Sequence, residues 1–215
     1  MENLPAATQL LKTLMEMPDS SWDEAVNEDS GVNHITGFRR INIEGKASTH
    51  IQMKLVETFP EVTPDQFWKM ATDTEKRGQW DERFANMEKL GDGENNGTIL
   101  YFIGKKPPIP MVSARETLVN VWKDETSLGE GKRALITTSV ERDDKPITDA
   151  YVRLNAEVIA TIVEANPDGG CLVNEYRSID VGGSMIGMVI DKMSKMGPKK
   201  NFEGWCRGIE GKVWE

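Results

Sequence analysis

The sequence predicts an α+β fold, an antiparallel sheet of about eight or nine strands curled round one long C-terminal helix. Three observations carry that expectation. Six consecutive segments between residues 84 and 180 have the β-branched and aromatic content of strands. Glycine-rich turns, Gly91-Asp92-Gly93, Gly129-Glu130-Gly131 and Asp168-Gly169-Gly170, join sequential segments, so neighbours run antiparallel. Residues 184 to 210 then read as an amphipathic helix, with Met185, Val189, Met193 and Met196 recurring at three- and four-residue spacing and Ile186 and Ile190 one step round.

In chain order, residues 5 to 16 form a short helix with Leu10, Leu11, Leu14 and Met15 on one face, and Ser21 caps a second that starts at Trp22. Strands follow over 32 to 43 and 50 to 59. Thr63 precedes Pro64-Asp65-Gln66, which fits an N-cap with proline at the first helical position and glutamine at N3; the helix runs to about Ala71. A short helical piece containing Arg77 to Asp81 leads into strands at 84–90, 98–104, 115–123, 133–141, 151–164 and 170–180. Two connections are longer, 105 to 114 with Pro107, Pro108 and Pro110, and 142 to 150. Gly197-Pro198 interrupts the last helix, because proline lacks the N–H and its ring clashes with the preceding turn; Phe202, Trp205 and Ile209 resume the pattern beyond a kink. A curled sheet with a helix across its mouth can hold an internal cavity, with the helix as its lid, but a solid core has the same string of elements.

The 215 residues read as a single domain, 1–215, since no Ser/Gly-rich or Pro-rich linker divides them. The hydrophobic content of 38% beside 28% charged residues is that of a chain with a packed core. There is no apolar run long enough for a bilayer span and no signal-like N-terminus, and two distant cysteines form neither a disulfide scaffold nor a zinc cluster. These point to the cytoplasm. A net charge of −9 excludes nucleic acid as the main partner. The charge is uneven: Lys192, Lys195, Lys199, Lys200, Arg207 and Lys212 against Asp191, Glu203, Glu210 and Glu215 give the chain from 184 onward +2, and the remainder −11. A methionine face beside a lysine stripe suits transient contact with an anionic membrane surface, and it also suits an ordinary solvated helix.

Catalytic signatures are sparse. His34 and His50 are the only histidines, with no ligand-spaced partners, so no metal is expected; no Gly-x-Ser-x-Gly, Walker loop or GxGxxG supports a nucleophile or a nucleotide cofactor. Gly182-Gly183 either offers backbone N–H groups to an anion or simply starts the last helix flexibly. The best polar constellation is Arg77 with Asp81, four apart on a helical turn, where a carboxylate can hold a guanidinium in place to receive a phosphate; a surface ion pair has the same spacing.

Four short motifs then occur in a telling order. Lys76-Arg77-Gly78-Gln79-Trp80-Asp81, Pro110-Met111-Val112-Ser113-Ala114-Arg115-Glu116, Tyr151-Val152-Arg153 and Asp180-Val181-Gly182-Gly183 together resemble START (steroidogenic acute regulatory-related lipid transfer) domains over nearly the whole chain, and most of all the phosphatidylcholine and ceramide transfer branch. The resemblance implies a helix-grip fold with one lipid inside and no enzymatic activity. It implies that Arg77 binds a phosphate while Asp81 orients it, and that Trp80 anchors the core. It places Phe102, Thr117 and Glu157 where that branch builds an aromatic choline cage, so two of three aromatics are missing and Glu157 could take an amine or hydroxyl. The alternation of Val152, Leu154, Ala156 and Val158 would turn Glu157 outward. Val121 stands at the arginine position of sterol-binding members, which disfavours cholesterol.

The expectation is therefore a monomeric carrier of one phospholipid or sphingolipid-like molecule, cytoplasmic and peripheral at membranes. Met185, Val189, Met193 and Met196 would line the lipid, while Ile109, Met111, Val112, Met188, Lys192 and Lys195 would form the membrane-facing gate. An enzyme on the same scaffold using Glu157 or Asp81 as acid or base, a small-molecule sensor, and a lipid-responsive interaction module are the alternatives.

Overall fold

The computed structural model describes residues 3–185 and 187–215, so Ile186, expected on the apolar face of the last helix, lies outside the described residues. Local chemistry sets the helix starts. Thr63 Oγ1 accepts from the Gln66 N–H at 3.2 Å and Gln66 Oε1 accepts from the Thr63 N–H at 2.9 Å, a reciprocal capping box that opens α2 (Pro64–Thr72). Asp73 caps α3 (Thr74–Trp80) through the Lys76 N–H. The other helices are α1 (Asn3–Glu16) and α4 (Gly187–Glu210), and none of the four is long and apolar enough to cross a membrane.

The strands are β1 (Asp23–Ser30), β2 (Asn33–Arg40), β3 (His50–Phe59), β4 (Phe84–Asp92), β5 (Thr98–Gly104), β6 (Arg115–Asp124), β7 (Arg133–Ser139), β8 (Val152–Arg153), β9 (Asn155–Ala165) and β10 (Cys171–Asp180). They form one curved sheet in the order β1-β2-β3-β10-β9-β7-β6-β5-β4, antiparallel throughout except where β8 pairs parallel with β6. Two strands exceed the eight segments read from the sequence. The segment after Ser21, expected to be helical, is β1: a 3-10 turn at Asp19–Ser21 leads into a hairpin whose Gly31-Val32 turn sets Ser30 opposite Asn33. Val26 is the only buried residue of β1, so its amphipathicity is too weak to announce a strand, and β2 supplies the hydrogen bonds that define it. The expected strand 151–164 divides at Leu154 into β8 and β9.

Alternation along the strands sorts side chains to two faces. On the outer face α1 packs Leu11 and Leu14 against Trp122, Ile136, Val158 and Tyr176. On the inner face α2 and α4 bury Phe67, Phe202 and Trp205 against Phe59, Val163 and Val173, with rings 5.2 Å apart for Phe59–Phe67 and 5.0 Å for Phe67–Trp205. Helix α4 lies mainly against β1, β2 and β3 and reaches β9 and β10 through Asn201, Phe202 and Trp205, leaving uncovered the concave surface towards β4.

The rotation of α4 corrects the sequence reading. Its buried row is Ile190, Ser194, Pro198 and Phe202, at four-residue spacing, whereas Met185, Val189, Met193 and Met196 are only half-buried. Pro198 does not divide the helix; it lies inside a continuous element and packs over Gly37, where an added Cβ would fall 2.6 Å from Val26 Cγ1, 3.0 Å from Leu55 Cδ2 and 3.6 Å from Pro198 Cβ. Buried Arg39 fixes the same face, donating to the Asp191 carbonyl at 3.0 Å, to Asp191 Oδ1 at 2.6 Å and to Ser194 Oγ. A polar partner and a missing Cβ therefore choose the face, and hydrophobicity alone does not. Gly37→Ala should lower stability by about 1–3 kcal/mol through overpacking, read as a shifted urea midpoint with unchanged slope; wild-type stability would show that α4 does not seat on this glycine.

Candidate functional site

Between the uncovered concave surface and helices α2 and α3 lies a cavity of about 800 Å³. Leu100, Phe102, Val119, Leu135, Ile159 and Ile179 supply apolar wall. Among the described residues six cationic side chains, Arg77, Arg83, Lys89, Arg115, Lys123 and Arg177, also border it, against one carboxylate, Glu175. This concentration is the reverse of the chain's overall charge of −9.

The arginines are held by a buried network. Asp81, at the C-terminal end of α3 with no side-chain exposure, accepts from Arg77 Nε at 3.2 Å, Arg83 Nε at 2.7 Å and Arg83 Nη2 at 2.5 Å. Arg83 also donates to Asn201 of α4, whose amide reaches Glu175 Oε1 at 3.0 Å and Glu57 Oε1 at 3.4 Å. Trp205 Nε1 donates to the same Glu175 oxygen at 3.1 Å, and Arg177 donates to Glu175 Oε2. Arg77 stacks 4.5 Å over Trp205, and Arg83 lies 5.4 Å over Phe84. Burial alone would push Asp81 up, but the hydrogen bond and charge of Arg83, with Arg77, hold it down at about 2. Glu57 moves the other way: burial and the Glu175 charge raise it well above the ordinary carboxylate range, and its Oε2 has no partner among the described residues. Glu175 is pushed up by burial but held below its ordinary value by Arg177, Asn201 and Arg83.

Beside the cavity, sharing Arg83 and Arg177 with it, opens a mouth of about 470 Å³ between the 105–114 loop and α4. Lys105, Lys106, Lys200 and Arg207 border it with Glu82 and Glu203, and Ile109, Met193 and Met196 supply apolar wall. A second knot ties this end together. Arg115 donates to the carbonyls of Val181, at 3.2 Å, Gly182 and Ser113, with Met185 Sδ at 3.1 Å. The Val152 N–H bonds the Ala114 carbonyl, and a Cβ on Gly182 would lie 2.8 Å from the Arg153 carbonyl. Three of the four motifs noted in the sequence thus meet at one point.

The residues singled out from sequence divide accordingly. Arg77, Phe102 and Thr117 border the cavity, and Asp81 stands directly behind Arg77. Glu157 does not. A β-bulge makes it the extra residue opposite Ser178/Ile179, so Leu154 and Ile159 reach the cavity while Glu157 turns to the outer face, bonded to Lys46 at 2.5 Å and Ser178 Oγ at 2.9 Å. Met185 packs with Ile51, Leu55 and Ile179, Val189 is half-buried outside both spaces, and Met193 and Met196 line the mouth and not the cavity, because the row of α4 that faces inward is one step round. Ile109 and Val112 are buried; Met111 is fully exposed and Met188 is 78% exposed. Lys192 is exposed, whereas Lys195 pairs with Asp191 at 3.1 Å. Sequence reasoning missed Arg83, Arg177, Glu175, Glu57 and Asn201. Glu175 and Arg177, opposite charges at alternate positions and so on one face of β10, were the available signal.

A family model for the START domain matches residues 2–212. No curated protein matches the sequence. Among solved structures, human STARD10 is 14% identical over 99% of this chain and 83% of that one, with a TM-score of 0.73. Human StAR-related lipid transfer protein 5 is 13% identical over 96% and 94%, with a TM-score of 0.77, and a STAR-related lipid transfer protein fragment from Xanthomonas axonopodis is 18% identical over 87% and 97%, with a TM-score of 0.64. At these identities the likeness is one of fold.

Two pH effects of opposite sign follow from the network. Asp81 is depressed in the fold, so its contribution is present above the ordinary value of 3.8 and is lost as pH falls through about 2; it is on the order of 2 kcal/mol. Asp81→Asn, which leaves two buried guanidiniums poorly paired, should cost on the order of 3 kcal/mol at pH 7 in a urea titration. Glu57 is raised, so its contribution is full below 4.5 and declines as pH rises above that value. Glu57→Gln should therefore gain stability relative to wild type between pH 5 and pH 8, and a parallel pH profile for the two proteins would show that Glu57 is not held protonated.

Proposed function

We propose that this chain, which belongs to the START domain family, is a lipid carrier that holds one amphipathic lipid in the cavity, with no covalent chemistry on the ligand. The observation that carries the reading is the two-sided wall: apolar strand residues along the concave sheet, and a guanidinium cluster organised by Asp81 at one end. The energetics favour such a container, since each CH₂ taken from water is worth about 0.8 kcal/mol, and a long chain crossing water unaided is correspondingly disfavoured. Arg77 is the direct headgroup contact. Asp81 accepts from it only at Nε, and among the described residues no other side-chain acceptor is within reach, which leaves its terminal nitrogens for the ligand.

The gate in this reading is the mouth between the 105–114 loop and α4. Of the large apolar side chains left exposed, Met111 lies on the 105–114 loop and Met188 at the start of α4, next to the segments that Arg115 joins. Lys105, Lys106, Lys192 and Lys200 are exposed without ion pairs among the described residues, whereas Lys195 and Lys199 are paired with Asp191 and Glu28. Methionines inserting into an interface with lysines around them suit docking on an anionic bilayer, each lysine adding about 1 kcal/mol.

Purified protein incubated with mixed-lipid vesicles should carry one lipid per chain in native mass spectrometry; an empty chain after exposure to every class would overturn the carrier reading. Met111→Glu combined with Met188→Glu should slow transfer between anionic vesicles at least ten-fold without a change in melting temperature. Transfer at the wild-type rate would remove the gate from this end of the molecule.

A further inference from the structure

We infer that the ligand is an amphiphile with an acid headgroup, a carboxylate or a phosphate monoester, and not a lipid with a choline head. The inference deepens the carrier reading and rests on it. Two observations on the cavity carry it.

The first is the use already made of the aromatic rings. A quaternary ammonium needs open aromatic faces. Here the protein's own guanidiniums occupy them: Arg77 lies 4.5 Å over Trp205 and 6.0 Å over Phe84, and Arg83 lies 5.4 Å over Phe84 and 5.8 Å over Trp205. Phe102, the other ring on this wall, stacks 5.0 Å from Phe84. A choline group here would be surrounded by cations.

The second is charge and donor count. Arg77, Arg83 and Arg177 share two carboxylates, Asp81 and Glu175, so the guanidiniums outnumber the carboxylates they donate to by three to two. Of the five N–H groups on each guanidinium, Arg77 spends only Nε on a described partner, and Arg177 Nη1 makes no hydrogen bond among the described residues. Arg115 adds a cation whose hydrogen bonds go to carbonyls and not to a carboxylate. An anion with two or more acceptor oxygens completes this arrangement.

The test is competition on the full chain with matched 18-carbon ligands, read by native mass spectrometry and by displacement of a fluorescent fatty acid. Oleate and oleoyl lysophosphatidate should form one-to-one complexes at least ten-fold tighter than oleoyl lysophosphatidylcholine or methyl oleate. The order of the two acids then assigns the carboxylate or the phosphate source. Equal binding of methyl oleate, or retention of dioleoyl phosphatidylcholine from vesicles in preference to the acids, would overturn the inference while leaving the carrier reading intact; no retained lipid in any arm would sink both. Arg77→Gln should weaken the two acids at least ten-fold and lysophosphatidylcholine less than two-fold, and an equal loss for all three would remove the headgroup assignment.

Discussion

A carboxylate without water must be surrounded by donors, and Asp81 is the residue on which the inner half of this structure depends. It has no exposed side-chain surface, and it is satisfied only because Arg77 from its own helix and Arg83 from the chain leading into β4 both reach it. Arg83 continues the chain of bonds to Asn201, and Asn201 to Glu175 and Glu57, so α3, the start of β4, α4, β10 and β3 are all fixed by one set of buried charges. Removing any member leaves another unpaired in low dielectric, where the penalty is several kcal/mol. The same demand that holds these elements in register leaves Arg77 with donors to spare on the cavity side.

Polar residues are buried on both faces of the sheet, and only one face borders the cavity. On the outer face Glu116 joins Tyr101, at 2.5 Å, to Arg153, at 2.9 Å, which pins the short parallel strand β8; Glu157 joins Lys46 and Ser178, with His50 3.7 Å away. These clusters close a seam and have their hydrogen bonds satisfied internally. The inner cluster differs in having guanidinium donors left over at Arg77 and Arg177, both of which border the cavity. Spare valence next to a cavity, and not burial of charge as such, separates a candidate site from a structural lock.

The cavity is what remains when α4 is drawn to one side of the sheet. Gly37 admits Pro198, Arg39 grips Asp191 and Ser194, and the helix seats on β1–β3. The strands from β7 to β4 keep an uncovered concave face. Its far boundary is the Arg115 knot, where the 105–114 loop, the start of β8 and the residues ahead of α4 are joined through carbonyl oxygens. A joint made of arginine–carbonyl bonds can part without stranding a carboxylate, which suits it to the opening edge of a container, whereas the Asp81 network suits the closed end.

Read alone, the sequence determined whatever depends on a few neighbouring residues. The capping box at Thr63 and Gln66, strand β3, the antiparallel run from β4 to β7, the last helix and its family resemblance were all legible, because turn glycines, N-caps and alternation act over fewer than about ten residues. Three decisions belonged to the tertiary structure. Strand β1 needed β2 beside it, since its own polar sequence buries only Val26. The face of α4 was chosen by Gly37 and Arg39, more than 150 residues away, and no periodicity within the helix reports a partner's missing Cβ. The two faces of β9 were exchanged by a bulge at Glu157, and a single inserted residue reverses side-chain direction with no sequence mark of its own. For that reason Arg77 and Asp81, four apart on one helix, could be found in advance, while Arg83, Arg177, Glu175 and Asn201 joined them only when the strands and α4 were brought together.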